Sequence, residues 1–148
     1  MTSPYLIGDL KRDEGFRAQA YPDPLLGWKR PTIGYGHAGR DVHPGLIWTE
    51  NLAADALADD VAQVCKGLDT GLPWWRGLDP IRQDCLVNQA YELGVAGLME
   101  FDTYLGLVRT GKFEAAAEDL LADTLWGGEV AARAHRVAQE MRSGMHAA

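Results

Sequence analysis

Between residues 16 and 40 this chain cannot be a helix. Prolines at 22, 24 and 31 each remove a backbone donor and fix φ, and glycines at 27, 34, 36 and 39 punctuate what remains. Tyr21, Trp28, Ile33 and Tyr35 supply β-forming side chains between those breaks. The segment therefore reads as a small antiparallel sheet with tight turns. On both sides the pattern is helical. Ser3 and Pro4 look like a helix start that carries Leu6, Ile7 and Leu10 on one stripe and ends near Glu14, before Gly15.

After a loop over 41–45, Thr49 caps a long helix. Ala53, Ala56, Leu57, Val61, Val64, Cys65 and Leu68 recur on one face of it, and Gly67 and Gly71 are the expected stops. A connector with Trp74 and Trp75 follows, its tryptophans expected to fill a gap in a small core. Asp79 and Pro80 then open a helix that stops at Gly94. Shorter helices are expected from Asp102 to Gly111 and from Glu114 to Leu125. Gly127 and Gly128 break the chain, and a last helix runs from Glu129 to Arg142 with Val130, Ala134, Val137, Ala138 and Met141 on one stripe. The fold class is α+β, mostly α. A small sheet buries little on its own and must lean on the long helix. That predicts one domain over 1–148 with two lobes and a cleft: a sheet lobe over about 14–60, and a helical lobe over about 61–148 joined by the first helix, 4–14.

The net charge of −7 over 148 residues speaks against a nucleic-acid binder. Two cysteines, Cys65 and Cys85, make no disulfide framework. Both fall at apolar helix positions and are expected as free, buried thiols. No cysteine–histidine spacing suits a metal. The N-terminus has no signal-peptide pattern and no apolar run is long enough to span a bilayer, so no stable membrane association is expected.

Chemistry concentrates in Glu14, Asp23 and Thr32. Two carboxylates can divide glycoside hydrolysis, one protonated as general acid and one ionised on the opposite face of the sugar. Glu14 closes a helix, where the dipole disfavours a further negative charge and raises its pKa. Asp23 lies in a wetter, proline-bounded loop that keeps it ionised, and the Thr32 hydroxyl can hold a water. With 21 acidic residues in the chain, this pattern alone is weak. Arg133 adds to it. It borders the apolar face of the last helix, and an inward guanidinium needs a carboxylate such as Glu14, unless it snorkels to solvent.

Glu14-Gly15-Phe16-Arg17, Tyr21, Asp23, Gly27 and Thr32-Ile33-Gly34-Tyr35-Gly36-His37 resemble the N-terminal signature of phage-type lysozymes. Asn88, Tyr91 and Gly94-Val95-Ala96-Gly97 resemble that family's central helix and the turn after it. Trp126, Arg133 to Val137 and Arg142-Ser143-Gly144 resemble its C-terminal segment. The resemblance covers nearly the whole chain. It implies a cofactor-free, metal-free muramidase that cleaves the β-1,4 bond between N-acetylmuramic acid and N-acetylglucosamine, as an endolysin or a virion-associated lysozyme. Glu14 would be the acid, Asp23 the second carboxylate and Thr32 the water-positioning hydroxyl. Inversion, usual for the family, requires the carboxyl groups to stand roughly 6.5–9.5 Å apart. Ala38, Tyr91 and Phe101 would line the substrate site. Arg133 would pair with Glu14 and lower its pKa against the helix end. His37 would support the motif, paired with Asp60.

The resemblance further implies peptidoglycan as partner, a monomer, and residence in the host cytoplasm before release to the wall, through a separate holin if the protein is an endolysin. Two alternatives stand beside it: a lytic transglycosylase, which needs no water-positioning pair, and an inactive wall-binding protein. Two features depart from the family. Eight residues separate Asp23 from Thr32 where five are usual, which should enlarge the turn around Leu25 to Lys29. The charge is acidic where many lytic relatives are basic.

Overall fold

The computed structural model describes residues 1–122 and 131–147. Its elements are α1 (Leu6–Glu14), β1 (Arg17–Asp23), β2 (Gly27–Gly34), β3 (His37–Ala38), α2 (Glu50–Gly71), a 3-10 turn (Trp75–Gly77), α3 (Pro80–Met99), α4 (Asp102–Arg109), α5 (Phe113–Ala122) and α6 (Ala131–Ser143). This is the mostly helical α+β class read from the sequence, with six helices among the described residues and one three-stranded sheet in the order β1-β2-β3. Trp126, the Gly127-Gly128 break, Val130 and the start expected for the last helix at Glu129 lie outside the described residues, as does Leu125, the end expected for the helix before them. No helix among the described residues is long and apolar enough to cross a membrane.

The chain forms two compact units, residues 7–63 and residues 1–6 with 64–148. In the first, β1 and β2 pair antiparallel, and β2 pairs antiparallel with β3. Ala20, Ile33 and Val42 are buried under Leu46 and Trp48. The segment 46–48 extends the edge of β1: Ala20 N donates to Leu46 O at 3.0 Å and Trp48 N to Ala18 O at 2.8 Å. Gly34 keeps a left-handed φ of 67°, and a Cβ there would stand 3.0 Å from the Ala53 Cβ of α2. Thr49 caps α2 as expected, its Oγ1 accepting from Leu52 N at 3.3 Å.

In the second unit the expected stripes are buried in part, with Val64 and Cys65 only half-buried. Leu68, Leu72, Trp75, Cys85, Leu86, Tyr104, Val108, Leu120, Val137, Ala138 and Met141 form its interior. Trp75 fills the core while its Nε1 donates to Asp69 at 2.7 Å. Asp79 caps α3, accepting from Arg82 N at 3.1 Å, a contact worth about 1 kcal/mol. Arg82 in turn closes the C-terminus of α6, its Nε donating to Met141 O at 2.7 Å and its Nη2 to Arg142 O at 2.9 Å. These are helix-end carbonyls that would otherwise lack partners.

Three expectations need correction. The first helix starts at Leu6 rather than beside Ser3, although the Ser3 hydroxyl does accept from Tyr5 N at 3.1 Å, while its proton and the Ser3 amide go to Asp84, far along the chain. Gly67 does not end α2. It lies inside the helix, where a Cβ would come within 2.9 Å of Val95 Cγ2, so its role is close packing. Both cysteines are free, but Cys65 is only half-buried. Gly94 does interrupt α3, with φ 77° and ψ 155°, before the helix resumes.

Candidate active site

Five of the eight candidate residues belong to the sheet unit: Glu14, Asp23, Thr32, His37 and Ala38. Glu14 is the last residue of α1. The helix stops there because Gly15 takes φ 69° and returns its amide to Lys11 O at 2.9 Å. The half-buried Glu14 carboxyl lies against the backbone of Gly36. A Cβ on Gly36 would stand 2.8 Å from Glu14 Oε2 and 3.2 Å from its Cδ. Gly36 also has φ 79°. The glycine thus serves twice, in the turn between β2 and β3 and as the wall against which Glu14 rests.

Asp23 ends β1 and organises the turn that follows. Its Oδ1 accepts from Leu25 N at 2.8 Å and Leu26 N at 2.9 Å. These bonds, first Leu26 and then Leu25, hold the carboxyl below the usual carboxylate range, with Arg30 adding to the effect. Asp23 is therefore ionised at neutral pH, as its loop position suggested.

Thr32 sits in the centre of the sheet. Its Cα partners are Tyr21 on β1 and Ala38 on β3, so the three side chains share one face. Thr32 is buried and its Oγ1 donates to Arg30 O at 3.2 Å, which leaves the oxygen lone pairs as acceptors. The extra residues between Asp23 and Thr32 are also placed. The ladder steps from Tyr21↔Thr32 to Asp23↔Gly27, so β2 bulges between Gly27 and Thr32. A second turn closes inside the bulge, with Lys29 N donating to Leu26 O at 3.2 Å.

Tyr21, quoted in the motif without a role, stands electrostatically between the two acids. Burial raises the pKa of its phenol, Arg17 lowers it, and Glu14 and Asp23 both raise it again. The Arg17 guanidinium lies 4.2 Å from the ring centroid. His37 is held from two sides. Its Nδ1 is 2.7 Å from Asp60 Oδ2 on α2, the expected partner, and its Nε2 is 3.1 Å from Asp41 Oδ1, which the sequence did not suggest. Burial alone would lower the His37 pKa, but the hydrogen bonds to Asp60 and Asp41 outweigh it and raise it. Asp60 is also raised, since its own desolvation exceeds the pull of His37.

Tyr91, Phe101 and Arg133 belong to the helical unit. Tyr91 is half-buried on α3, and Phe101 precedes the first turn of α4. Arg133 is buried rather than snorkelling. Its Nε donates to Asn88 Oδ1 at 2.7 Å, and its Nη1 donates to Glu92. Glu92 was not anticipated. The available signal was its place four residues after Asn88, on the same face of α3.

A model of the phage lysozyme family matches residues 11–140. The chain belongs to that family. Among its relatives is an endolysin of Bacillus phage B103, 36% identical over 84% of this chain and 46% of the relative. Another is the pre-baseplate central spike protein Gp5 of Enterobacteria phage T4, 30% identical over 91% of this chain and 27% of that protein. An endolysin of Bacillus phage PZA is 33% identical over the same shares as the first. The chain thus spans less than half the length of these relatives.

Proposed function

We propose that this protein is a peptidoglycan hydrolase, a muramidase that cleaves the β-1,4 bond between N-acetylmuramic acid and N-acetylglucosamine. The observation that carries the reading is the pair of unlike carboxyls in one unit: Asp23 kept ionised by two backbone donors, and Glu14 shielded against Gly36. In this reading Glu14 protonates the departing sugar oxygen. Asp23 and the Thr32 hydroxyl hold the attacking water and direct it to the anomeric carbon on the opposite face, which inverts the centre. Asp23 takes up the proton that the water loses, and no metal or cofactor takes part. Ala38, Tyr91 and Phe101 serve substrate binding, and His37 and Arg133 have supporting roles.

Family membership supports peptidoglycan as the substrate. The relatives include endolysins and a pre-baseplate central spike protein, so the reading is compatible with either setting. The proposal takes residues 1–148 as one lysozyme domain acting as a monomer, without a nucleic-acid partner. An endolysin role would add host cytoplasm as the starting compartment and a holin for release.

The test is mass spectrometry of the products from purified peptidoglycan, with wild type and with Glu14→Gln. Reducing-end muramic acid from wild type, lost in the variant, is the expected result. Anhydro-muramic products would instead make the enzyme a lytic transglycosylase and remove the role given to Asp23. Binding without any product would leave a wall-binding protein.

A further inference from the structure

The bulge that lengthens the path from Asp23 to Thr32 does more than change a register. It carries Leu25, Leu26 and Trp28, which are 93%, 54% and 49% exposed. Large apolar side chains rarely crowd one turn unless something covers them. Here they are held in place and ready to engage. Asp23 accepts from the amides of Leu25 and Leu26, Lys29 N closes a turn onto Leu26 O, and Gly27 supplies the left-handed φ of 59°. A preset turn loses little conformational freedom on binding.

The charge around the tip is opposite to that of the chain. Lys29 and Arg30 follow Trp28 directly, both exposed, and neither forms an ion pair among the described residues. Near the tip, Lys29 and Arg30 stand against the single carboxylate of Asp23, with Arg17 adding charge at the far end of the hairpin opposite Gly34, in a protein whose net charge is −7. An anionic surface repels most of this molecule and attracts the hairpin.

We propose that the tip of the β1–β2 hairpin, Leu25 to Arg30, docks reversibly on an anionic phospholipid surface. Leu25 and Leu26 are the residues that choose between occupants. Aliphatic side chains offer nothing to sugar hydroxyls, whereas they enter hydrocarbon readily. An indole settles at the boundary between headgroups and acyl chains, and the two cations meet the anionic headgroups beside it. Two cations and a few apolar side chains give weak, salt-sensitive attachment, distinct from the stable membrane association that the composition speaks against. The inference does not depend on Glu14 chemistry.

The test is cosedimentation with vesicles of phosphatidylcholine alone and of phosphatidylcholine mixed with phosphatidylglycerol. Wild type is compared with Leu25→Ser/Leu26→Ser and with Lys29→Ala/Arg30→Ala. All four side chains are exposed, so both variants should keep the wild-type melting temperature. Wild type should sediment with the phosphatidylglycerol vesicles at low salt, and each pair of substitutions should weaken binding by about tenfold or more. Tryptophan emission should shift to the blue on those vesicles, and the shift should vanish in Trp28→Phe. Equal sedimentation of wild type and variants, or none by wild type, would overturn the proposal. So would a tip whose substitutions abolish binding to purified peptidoglycan while no form binds vesicles, since the surface would then be a wall contact.

Discussion

Gly36 shows how narrow the tolerances of the candidate site are. Its φ of 79° costs an L-residue about 1–2 kcal/mol, and a Cβ would also push on Glu14 Oε2 from 2.8 Å. The two effects can be separated. Gly111 has a similar φ of 77° with nothing near its Cβ position, so Gly111→Ala carries the strain without the collision. Both alanine variants should melt below wild type by comparable amounts. Only Gly36→Ala should also lose turnover, by tenfold or more, because a displacement of about 1 Å in a catalytic group can cost about 100-fold. Melting curves and turnover on purified peptidoglycan check this. Equal turnover in the two variants would mean that Glu14 does not need the position Gly36 leaves for it.

At the scale of elements, His37 ties β3 to α2 through Asp60 and to the following loop through Asp41. Its pKa is raised above the ordinary 6.5 because those hydrogen bonds outweigh burial. A raised histidine contributes stability fully below its unfolded pKa and loses it as pH rises through the folded value. Thermal stability should therefore fall as pH rises from about 6.5 through the raised folded value, by on the order of 1 kcal/mol or less for this partly solvated cluster. Asp60, ionised in both states across that window, adds no slope there. His37→Gln should flatten the fall in a series of melting temperatures against pH. An unchanged slope would deny the ties their charge. The sequence announced the Asp60 pairing because the family resemblance put both residues in view. It also announced the stop at Gly15 and the break in α3 at Gly94, since a left-handed φ is a local demand that glycine meets. It did not reveal that Ser3 would turn to Asp84, that Gly67 would seat Val95 inside α2, or that Glu92 would take Arg133. Each of those depends on a partner far along the chain, and local pattern carries no information about which distant groups meet. Glu14, Asp23 and Thr32 were legible as residues. The row that Thr32 shares with Tyr21 and Ala38 was not, because register depends on a bulge that spacing alone does not locate.

For the molecule as a whole, charge sets the terms on which it meets a wall. If peptidoglycan is the substrate, as proposed, a chain at −7 meets its negative peptide carboxylates against a long-range repulsion. Salt shortens that repulsion, since the screening length falls from about 30 Å at 0.01 M to about 8 Å at 0.15 M. The initial rate on purified peptidoglycan should therefore rise a few-fold over that range, whereas a basic enzyme would slow as its attraction is screened. The cations of the hairpin sharpen the prediction. They provide a local attraction that partly offsets the net charge at low salt. Lys29→Ala/Arg30→Ala removes it and makes the chain more acidic, so the rise with salt should become steeper, starting from a lower rate at 0.01 M. A wild-type rate that falls with salt would show instead that local cations, not the net charge, govern the encounter with the wall.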